Sequence, residues 1–228
     1  MVTQWLSTHK DVRCLPAIFS EPGWPSGEVH GRGVFAWIRE TLDPEWNVLA
    51  RRIARPNKLL REIAARSSDK LAVGFKHHLN ESEFNEFLLG SGFRKIILTR
   101  NNMLAAYSSH KVVELTGQGA ARAGSTVIRA KASFDPGEFS SFRKKRARFY
   151  EHARQAARKS WKEIDYTAAR TEEGMAEIGR FLGVDPAGFG PAQTAKRNSD
   201  DIVSRFSNPD QVRSYLEMNH LEHWTTEG

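Results

Sequence analysis

Short apolar runs alternate with segments of helical spacing along this chain, and the alternation predicts an α/β fold. Residues 96–98, Ile-Ile-Leu, form the kind of β-branched run found in strands that are buried on both faces of a parallel sheet. Residues 71–75, Leu-Ala-Val-Gly-Phe, have the same character, and residues 12–15 and 164–166 are shorter candidate strands. The sequence therefore predicts several parallel strands connected by helices.

Helical signals lie between and around these strands. Asn101 or Asn102 is a candidate cap for the helix after residues 96–98, because either side chain can accept a hydrogen bond from a first-turn N–H group. Gly183 is a candidate C-cap. The predicted helices span residues 1–6, 34–42, 44–65 with a break at Pro56, 81–89, 102–115, 136–163 with Trp161 on its apolar side, 172–182 and 210–218.

The strands at residues 71–75 and 96–98, with the helix between them, form a predicted βαβ unit with a right-handed crossover. Both strands then end on the same edge of one sheet, where open α/β sheets bind ligands. Lys76, His78 and Arg100 are therefore expected to line one cleft.

Arg100 and Ser108 are candidate anion-binding residues. Arg100 lies at the carboxyl end of a predicted strand, and Ser108 lies one to two turns into the next helix. A guanidinium fork, a hydroxyl and helix N–H groups together suit a phosphate. The plainer interpretation, a surface ion pair for Arg100 and an ordinary helical serine, is equally compatible with the spacing.

The longest region without regular spacing is residues 16–33, which is rich in Gly and Pro. We interpret it as a loop that lines an active site, because loops of this length in compact domains are functional or disordered. At 228 residues the chain is long enough for one domain with a sizeable core, so residues 1–228 are expected to form a single domain.

The amino-acid composition indicates an anionic binding partner but does not indicate which kind. The chain has 34 Lys and Arg against 27 Asp and Glu, a net charge of +7, which favours nucleic acid, an anionic lipid surface or a phosphorylated small molecule. The single cysteine, Cys14, excludes an internal disulfide and a cysteine-rich zinc site, and no metal is expected. No apolar run is long enough for a membrane span and the start is polar, so a cytoplasmic location is expected. The oligomeric state is not indicated.

Several of these residues together resemble a family. Residues 76–79, Lys-His-His-Leu, then Arg100 with Ser108 eight positions later, then residues 164–166 leading to Phe-Leu-Gly at residues 181–183, resemble PAPS-dependent sulfotransferases in their order. The resemblance implies a three-layer P-loop-type parallel sheet flanked by helices, with a large helical portion. It also implies transfer of a sulfuryl group from PAPS (3′-phosphoadenosine 5′-phosphosulfate) to a hydroxyl of a carbohydrate or glycolipid, as in bacterial members.

The resemblance assigns residues to the cofactor. Arg100 and Ser108 match the pair that binds the 3′-phosphate in the family. Residues 185–209 resemble its C-terminal cofactor loop, in which Lys196 and Arg197 are the candidate phosphate contacts. The implied partners are therefore a small-molecule donor and a carbohydrate or lipid-linked acceptor.

The resemblance also assigns a catalytic base, with alternatives. His78 matches the histidine that takes the proton from the acceptor hydroxyl, with Lys76 in the same catalytic segment, and imidazole suits that role because its pKa lies near neutrality. His77 is equally available. Some bacterial members use a glutamate as base instead; here Ala17 stands in that register, and Glu21 is the nearest substitute.

The chain departs from the family at its start. Family members open with a strand and a loop that wraps the 5′-phosphosulfate in N–H groups. Residues 1–6 fit only the last positions of that loop, where Thr3 and Trp5 match and Trp5 takes the position that stacks on adenine. Loss of a central strand would leave neighbouring strand edges unpaired. We expect a truncated or degenerate sulfotransferase that binds PAPS weakly, and an active enzyme only if the loop exists upstream.

Other classes of protein remain open. Residues 143–150, Arg-Lys-Lys-Arg-Ala-Arg-Phe-Tyr, suggest binding of nucleic acid, with Tyr150 available for stacking, although solvated basic helix faces are common and no nucleic-acid module is recognisable. A nucleotide kinase shares the implied architecture, but a Walker lysine and a magnesium-binding pair are missing from the sequence. A non-catalytic sulfotransferase-like remnant is the third alternative.

Overall fold

The structure is a computed structural model that describes residues 2–15, 18, 37–38, 40–77, 88, 92–118, 128, 130–157, 160–190 and 199–227. The described residues form a mixed α/β fold with two parallel two-stranded sheets. The chain divides into two compact units. The first contains Met1–Leu88, Arg122–Gly124 and Met175–Ala195, and the second contains Leu89–Ala121, Ser125–Gly174 and Lys196–Gly228.

The first unit contains one parallel strand pair and several short helices. In chain order its elements are α1 (Val2–Leu6), β1 (Val12–Leu15), α2 (Leu49–Ala54), α3 (Pro56–Ala65) and β2 (Ala72–Phe75). The unit also contains, from Met175 onward, most of the helix Glu172–Leu182. β1 and β2 pair from Val12 with Ala72 to Leu15 with Phe75. The break predicted at Pro56 is confirmed: this proline opens α3, where its missing N–H group costs no hydrogen bond.

The core of the first unit is apolar and centred on Trp46. Its indole N–H donates to Glu62 Oε2 at 2.8 Å, so the buried ring keeps its one polar group paired. Burial of side chains of this kind stabilises the fold by about 1.5–3 kcal/mol each. The buried members of this cluster are Leu15, Ile18, Ile38, Leu42, Trp46, Leu59 and Ile63.

The second unit contains the other strand pair. Its elements are β3 (Lys95–Thr99), α4 (Met103–Thr116), α5 (Pro136–Ala156), β4 (Trp161–Asp165), the first turn of α6 (Glu172–Leu182) and α7 (Pro209–Met218). β3 and β4 pair in parallel from Lys95 with Trp161 to Thr99 with Asp165. Both pairings are parallel, as the apolar runs of the sequence predict.

Caps set the ends of the helices in the second unit. Asn102 Oδ1 accepts from the Ala105 N–H group at 3.0 Å and opens α4, which confirms the second of the two predicted caps. Gly117, at φ 67°, ends α4 in the left-handed conformation that glycine adopts without strain. Asp135 caps α5 in the same way as Asn102 caps α4, by accepting from the Glu138 N–H group at 2.7 Å.

An aromatic cluster forms the main core of the second unit. Tyr107 lies fully buried at its centre, with ring contacts to Phe134, Phe139 and Phe206. Its hydroxyl donates to Glu138 Oε2 at 2.9 Å, which joins α4 to α5. Because interlocking rings leave little free volume, this cluster holds the start of α4 in a defined position.

The long helix predicted over residues 136–163 is wrong in its last part. α5 ends at Ala156, and Trp161 begins β4 instead of extending the apolar face of the helix. The strand predicted at residues 164–166 therefore starts earlier. Hydrogen bonds to β3 along the whole segment decide this, because a partner strand overrides the helical spacing of a few apolar residues.

The α/β class is confirmed, but a three-layer P-loop-type sheet is not. β2 and β3 belong to different two-stranded sheets in the described part of the chain, so the predicted βαβ unit is not observed. Each of these two strands has one hydrogen-bonded neighbour among the described strands. The finer architecture remains a prediction.

Several predicted segments fall wholly or partly outside the described residues. They are residues 16–33 apart from Ile18, residues 34–36 and 39 of the helix predicted at 34–42, residues 81–89 apart from Leu88, residues 158–159 of the helix predicted at 136–163, and residues 191–198 within the predicted cofactor loop. Among the described residues, none of the helices is both long and apolar enough to cross a membrane.

Candidate anion site

Arg100 lies at the carboxyl end of β3, beside Tyr166 at the end of β4. The pairing of Thr99 with Asp165 places the next residue of each strand side by side, and the Tyr166 N–H group donates to Thr99 O at 2.8 Å. The Arg100 guanidinium lies 4.6 Å from the centroid of the Tyr166 ring. The strand register thus provides Arg100 with an aromatic platform, which stabilises a cation without neutralising it.

Arg100 is largely removed from water, with 17% of its side chain exposed. Its Nη1 donates to Ser109 Oγ at 3.2 Å, and its Nη2 donates to the Glu227 carboxylate. Its Nε is buried and has no acceptor among the described residues. Burial lowers the pKa of Arg100, and the nearby Tyr166 and Asp165 side chains oppose that effect.

A second arginine enters the same site from the short turn Val203–Arg205. Arg205 is more deeply buried, with 4% of its side chain exposed. Its Nη1 donates to Ser108 Oγ at 3.2 Å and its Nε donates to Ser199 O at 2.9 Å. Burial, followed by the like charge of Arg100, lowers the pKa of Arg205 to about 10.

Glu227 joins the two arginines. Its Oε1 accepts from Arg100 Nη2, and its Oε2 accepts from Arg205 Nη2 at 2.5 Å. The carboxylate is itself buried, with 6% of the side chain exposed. Two buried like charges are stable side by side only when an anion is shared between them, and Glu227 supplies that anion in this structure.

Ser108 and Ser109 complete the site from α4. Both hydroxyls donate to Ala105 O, at 3.0 and 2.9 Å, so their lone pairs are directed to the arginines. Ser108 is fully buried. The structure therefore brings the two residues of the predicted anion pair, Arg100 and Ser108, into one cluster, but they are linked through Arg205 and Glu227 rather than bonded to each other.

Asp165 lies close to this cluster but is directed to the backbone. Its Oδ2 accepts from the Asn101 N–H group at 2.9 Å, and its Oδ1 accepts from the N–H group and the hydroxyl of Thr167 at 2.8 and 2.6 Å. Burial acts to raise the pKa of Asp165, but these hydrogen bonds outweigh it, and the pKa lies below its ordinary value. Asp165 thus holds in place the two chain segments that leave β3 and β4.

The cluster has the chemistry of an oxyanion site. Arginine forks donate in a plane to carboxylate, phosphate or sulfate oxygens, and burial strengthens each of these interactions. Arg100, Arg205 and Glu227 taken together carry one net positive charge, and the carboxylates of Asp165, Asp200 and Asp201 act on the two arginines from nearby. The buried Nε of Arg100 adds a donor that Glu227 does not use.

Three other predicted site residues lie in the first unit. Trp5 is buried, and its ring stacks on Phe189 with centroids 3.5 Å apart and planes inclined by 19°. Thr3 is half-buried, and its carbonyl accepts from the Ser7 hydroxyl at 2.8 Å. Lys76 directly follows β2; burial lowers the pKa of its ammonium group, and the nearby Cys14 opposes this.

Four predicted site residues cannot be placed. His78, Glu21, Lys196 and Arg197 lie outside the described residues, and their roles remain predictions. In the part of the chain that is described, no three His, Cys, Asp or Glu side chains are grouped as a metal site would require.

The sequence did not assign three residues of this cluster, Tyr166, Arg205 and Glu227, to the anion site. Tyr166 is the last residue of the strand predicted at residues 164–166, but the sequence did not show which strand pairs with it, and only that pairing places Tyr166 beside Arg100. Arg205 belongs to the segment that resembles the cofactor loop, but the resemblance assigned the phosphate contacts there to Lys196 and Arg197. Glu227 is 127 positions from Arg100, and no local pattern connects them.

Comparison with known proteins does not place this chain: no family model matches it, and neither a curated protein nor a solved structure matches it.

Proposed function

We propose that this chain is a PAPS-dependent sulfotransferase whose cluster around Arg100 and Arg205 binds the 3′-phosphate of the donor. Its acceptor is a hydroxyl of a carbohydrate or glycolipid. The observation that carries the proposal is the convergence of two buried guanidinium groups on one carboxylate, beside Ser108 and at the carboxyl end of a parallel strand. The order of motifs along the sequence supports the particular nucleotide.

The charges of the cluster suit a phosphate monoester. A phosphate with two negative charges can neutralise both arginines, whereas the Glu227 carboxylate neutralises only one positive charge. The Arg100 Nε, buried and without an acceptor among the described residues, offers a third oxygen a partner. These features fit the 3′-phosphate half of PAPS. The residues predicted for the other half lie in the first unit or outside the described residues.

Each of these residues has a proposed role in the transfer reaction. When bound, PAPS supplies an activated sulfuryl group. Arg100, Arg205 and Ser108 hold the 3′-phosphate and so orient the nucleotide, which lowers the entropic cost of reaction. His78 takes the proton from the acceptor hydroxyl. Lys76, in the same segment, presents a partly desolvated ammonium group, whose electrostatic effect is larger than that of a solvated one.

Thermal unfolding of the full chain tests the nucleotide. We expect adenosine 3′,5′-bisphosphate to raise the Tm and AMP, which lacks the 3′-phosphate, to raise it much less. The Arg100→Ala variant should lose the difference between the two nucleotides, while the control Arg213→Ala should retain it, because the Arg213 side chain is exposed on the outer face of α7. Stabilisation by ATP alone would contradict the proposal and favour a kinase.

Activity requires a separate assay. Purified chain is incubated with PAPS that carries a labelled sulfuryl group and with a panel of carbohydrates and glycolipids. Transfer of label to a hydroxyl acceptor supports the enzyme, and its loss in His78→Ala supports the base. Binding of the bisphosphate without any transfer would indicate the non-catalytic remnant.

A nucleic-acid-binding function rests on α5. Lys144, Lys145 and Arg148 are exposed and form no ion pair with other described residues. Arg143 and Arg146 are different, because their guanidinium groups lie over aromatic rings, 4.9 Å from Trp224 and 5.5 Å from Phe142. Only three charges of the basic run are therefore exposed to a partner. Three phosphate contacts would make the affinity for duplex DNA fall only modestly as the salt concentration rises. An affinity for duplex DNA that falls steeply with salt would favour the nucleic-acid-binding function.

A further inference from the structure

The segment that carries Glu227 is held on the second unit by its backbone. In this segment, residues 225–227, here called the strap, Thr225 O accepts from the Ile202 N–H group at 2.9 Å and the Glu227 N–H group donates to Asp200 O at 3.2 Å. Thr226 forms an antiparallel bridge with Asp201. The strap therefore lies beside the turn that carries Arg205, and its backbone bonds direct the Glu227 side chain to the arginines.

Asn102 ties the strap to the start of α4. Its Oδ1 caps the helix at the Ala105 N–H group, and its Nδ2 donates to Thr226 O at 2.8 Å and to Trp224 O at 3.2 Å. The Asn102 carbonyl oxygen thus caps the helix, and the Asn102 amide group donates to the strap. Substitution by serine removes the donors and keeps an acceptor at the cap.

The Glu227 carboxylate uses the donors that an external oxyanion needs. The Nη2 atoms of Arg100 and Arg205 both point at Glu227, and they are the two groups that converge most closely in the cluster. An oxyanion cannot take the same position while the carboxylate is present. Binding of such an anion at these donors therefore requires the Glu227 carboxylate to leave them.

We propose that Glu227 is an internal ligand of the anion site, and that the strap regulates the site by competing with a phosphate monoester. The identity of that monoester as the 3′-phosphate of a nucleotide rests on the function proposed above; the competition itself rests on the contacts of Glu227. The apparent affinity for the anion is the intrinsic affinity reduced by the fraction of molecules in which the strap has left the site. If that fraction is about one tenth, removal of the strap strengthens binding about tenfold.

Calorimetric titration of full-length variants tests this competition. Glu227→Gln removes the charge with little change in size, and Glu222→Gln, an exposed residue of the neighbouring turn, is the matched control. We expect Glu227→Gln to bind both adenosine 3′,5′-bisphosphate and inorganic phosphate about tenfold more tightly than the wild type. Glu222→Gln is expected to bind them as the wild type does.

Hydrogen exchange in the wild type gives a readout that needs no variant. Saturating bisphosphate should accelerate exchange at the amides of Ile202 and Glu227, because both are hydrogen-bonded through the strap. Asn102→Ser is a second test variant, which weakens the attachment of the strap but retains the Glu227 carboxylate and both arginines. It should bind the bisphosphate more tightly than the wild type does, by a smaller factor than Glu227→Gln.

The outcomes separate the two proposals. Tighter binding of inorganic phosphate by Glu227→Gln, with no nucleotide bound by any variant, supports the competition and overturns the proposed nucleotide. If the wild type, Glu227→Gln and Asn102→Ser bind the nucleotide equally, and if the Ile202 and Glu227 amides stay protected from exchange when it is bound, the competition is overturned. The proposed nucleotide site is then unaffected. If neither anion binds to the wild type or to Glu227→Gln, both proposals are wrong.

Discussion

Arg100 donates to Glu227 although 127 positions separate them in the sequence, and Arg205 donates to the other oxygen of the same carboxylate. The result is a buried network of two positive charges and one negative charge. In such a network each charge depends on its partners, because a charge left unpaired in the interior is far less stable than in water. The cluster is therefore a structural element as well as a candidate binding site.

Removal of Arg205 should destabilise the fold. The Arg205→Ala variant leaves Glu227 with one arginine and removes the bond to Ser108, so we expect the free energy of unfolding to fall by about 3 kcal/mol. Urea denaturation of the wild type and the variant measures this difference in unfolding free energy. The control Arg213→Ala removes an exposed pair with Asp210 and should cost less than about 1 kcal/mol. Similar losses in the two variants would show that the buried network contributes no more than a surface pair.

The Tyr166 ring should contribute to nucleotide binding through Arg100. Tyr166→Phe keeps an aromatic face under the guanidinium, whereas Tyr166→Leu removes it, at a cost of about 1 kcal/mol or a fivefold weaker Kd for the bisphosphate. Titration of both variants measures the difference. If Phe and Leu weaken binding equally, the hydroxyl and not the ring face is responsible.

Asp165 should make stability depend on pH on the acid side. Its pKa in the folded chain lies below the ordinary 3.8, because hydrogen bonds from Thr167 and Asn101 outweigh the effect of burial. A carboxyl group with a lowered folded pKa stabilises the fold above its unfolded pKa, and this contribution is lost as the pH falls through the folded pKa. The Tm difference between wild type and Asp165→Asn should therefore be constant above about pH 5 and shrink below about pH 4. A difference that does not vary with pH would contradict it.

Two substitutions of Asn102 should distinguish the stability that comes from capping α4 from the stability that comes from attaching the strap. Asn102→Ala loses the cap of α4 and the donors to the strap, and we expect a loss of about 1–2 kcal/mol in unfolding free energy. Asn102→Ser keeps a cap acceptor and should lose about half as much. Equal losses in chemical denaturation would mean that the cap contributes little and that the strap contacts dominate.

Local patterns were sufficient to predict most elements and one half of the site. The apolar runs predicted β2 and β3, and Asn102 was one of two predicted caps. Arg100 and Ser108 were predicted as an anion pair, and the structure places both in one cluster. Each of these depends on residues within one or two turns of each other. The α5 prediction failed over residues 161–163, because these residues pair with a strand far away in the sequence, whatever their own spacing.

By itself, the sequence determined the α/β class, the positions of β1, β2 and β3 and the cation at the end of β3, because these depend on short-range hydrophobic spacing and on the chemistry of single side chains. Only the tertiary structure decided which strands pair and which groups surround Arg100. Tyr166 arrives through the register of β4, Arg205 through a turn packed on the aromatic core, and Glu227 through a strap tied by Asn102. Contacts between distant segments form through backbone pairing and packing of the whole unit, and no local spacing in the chain encodes them.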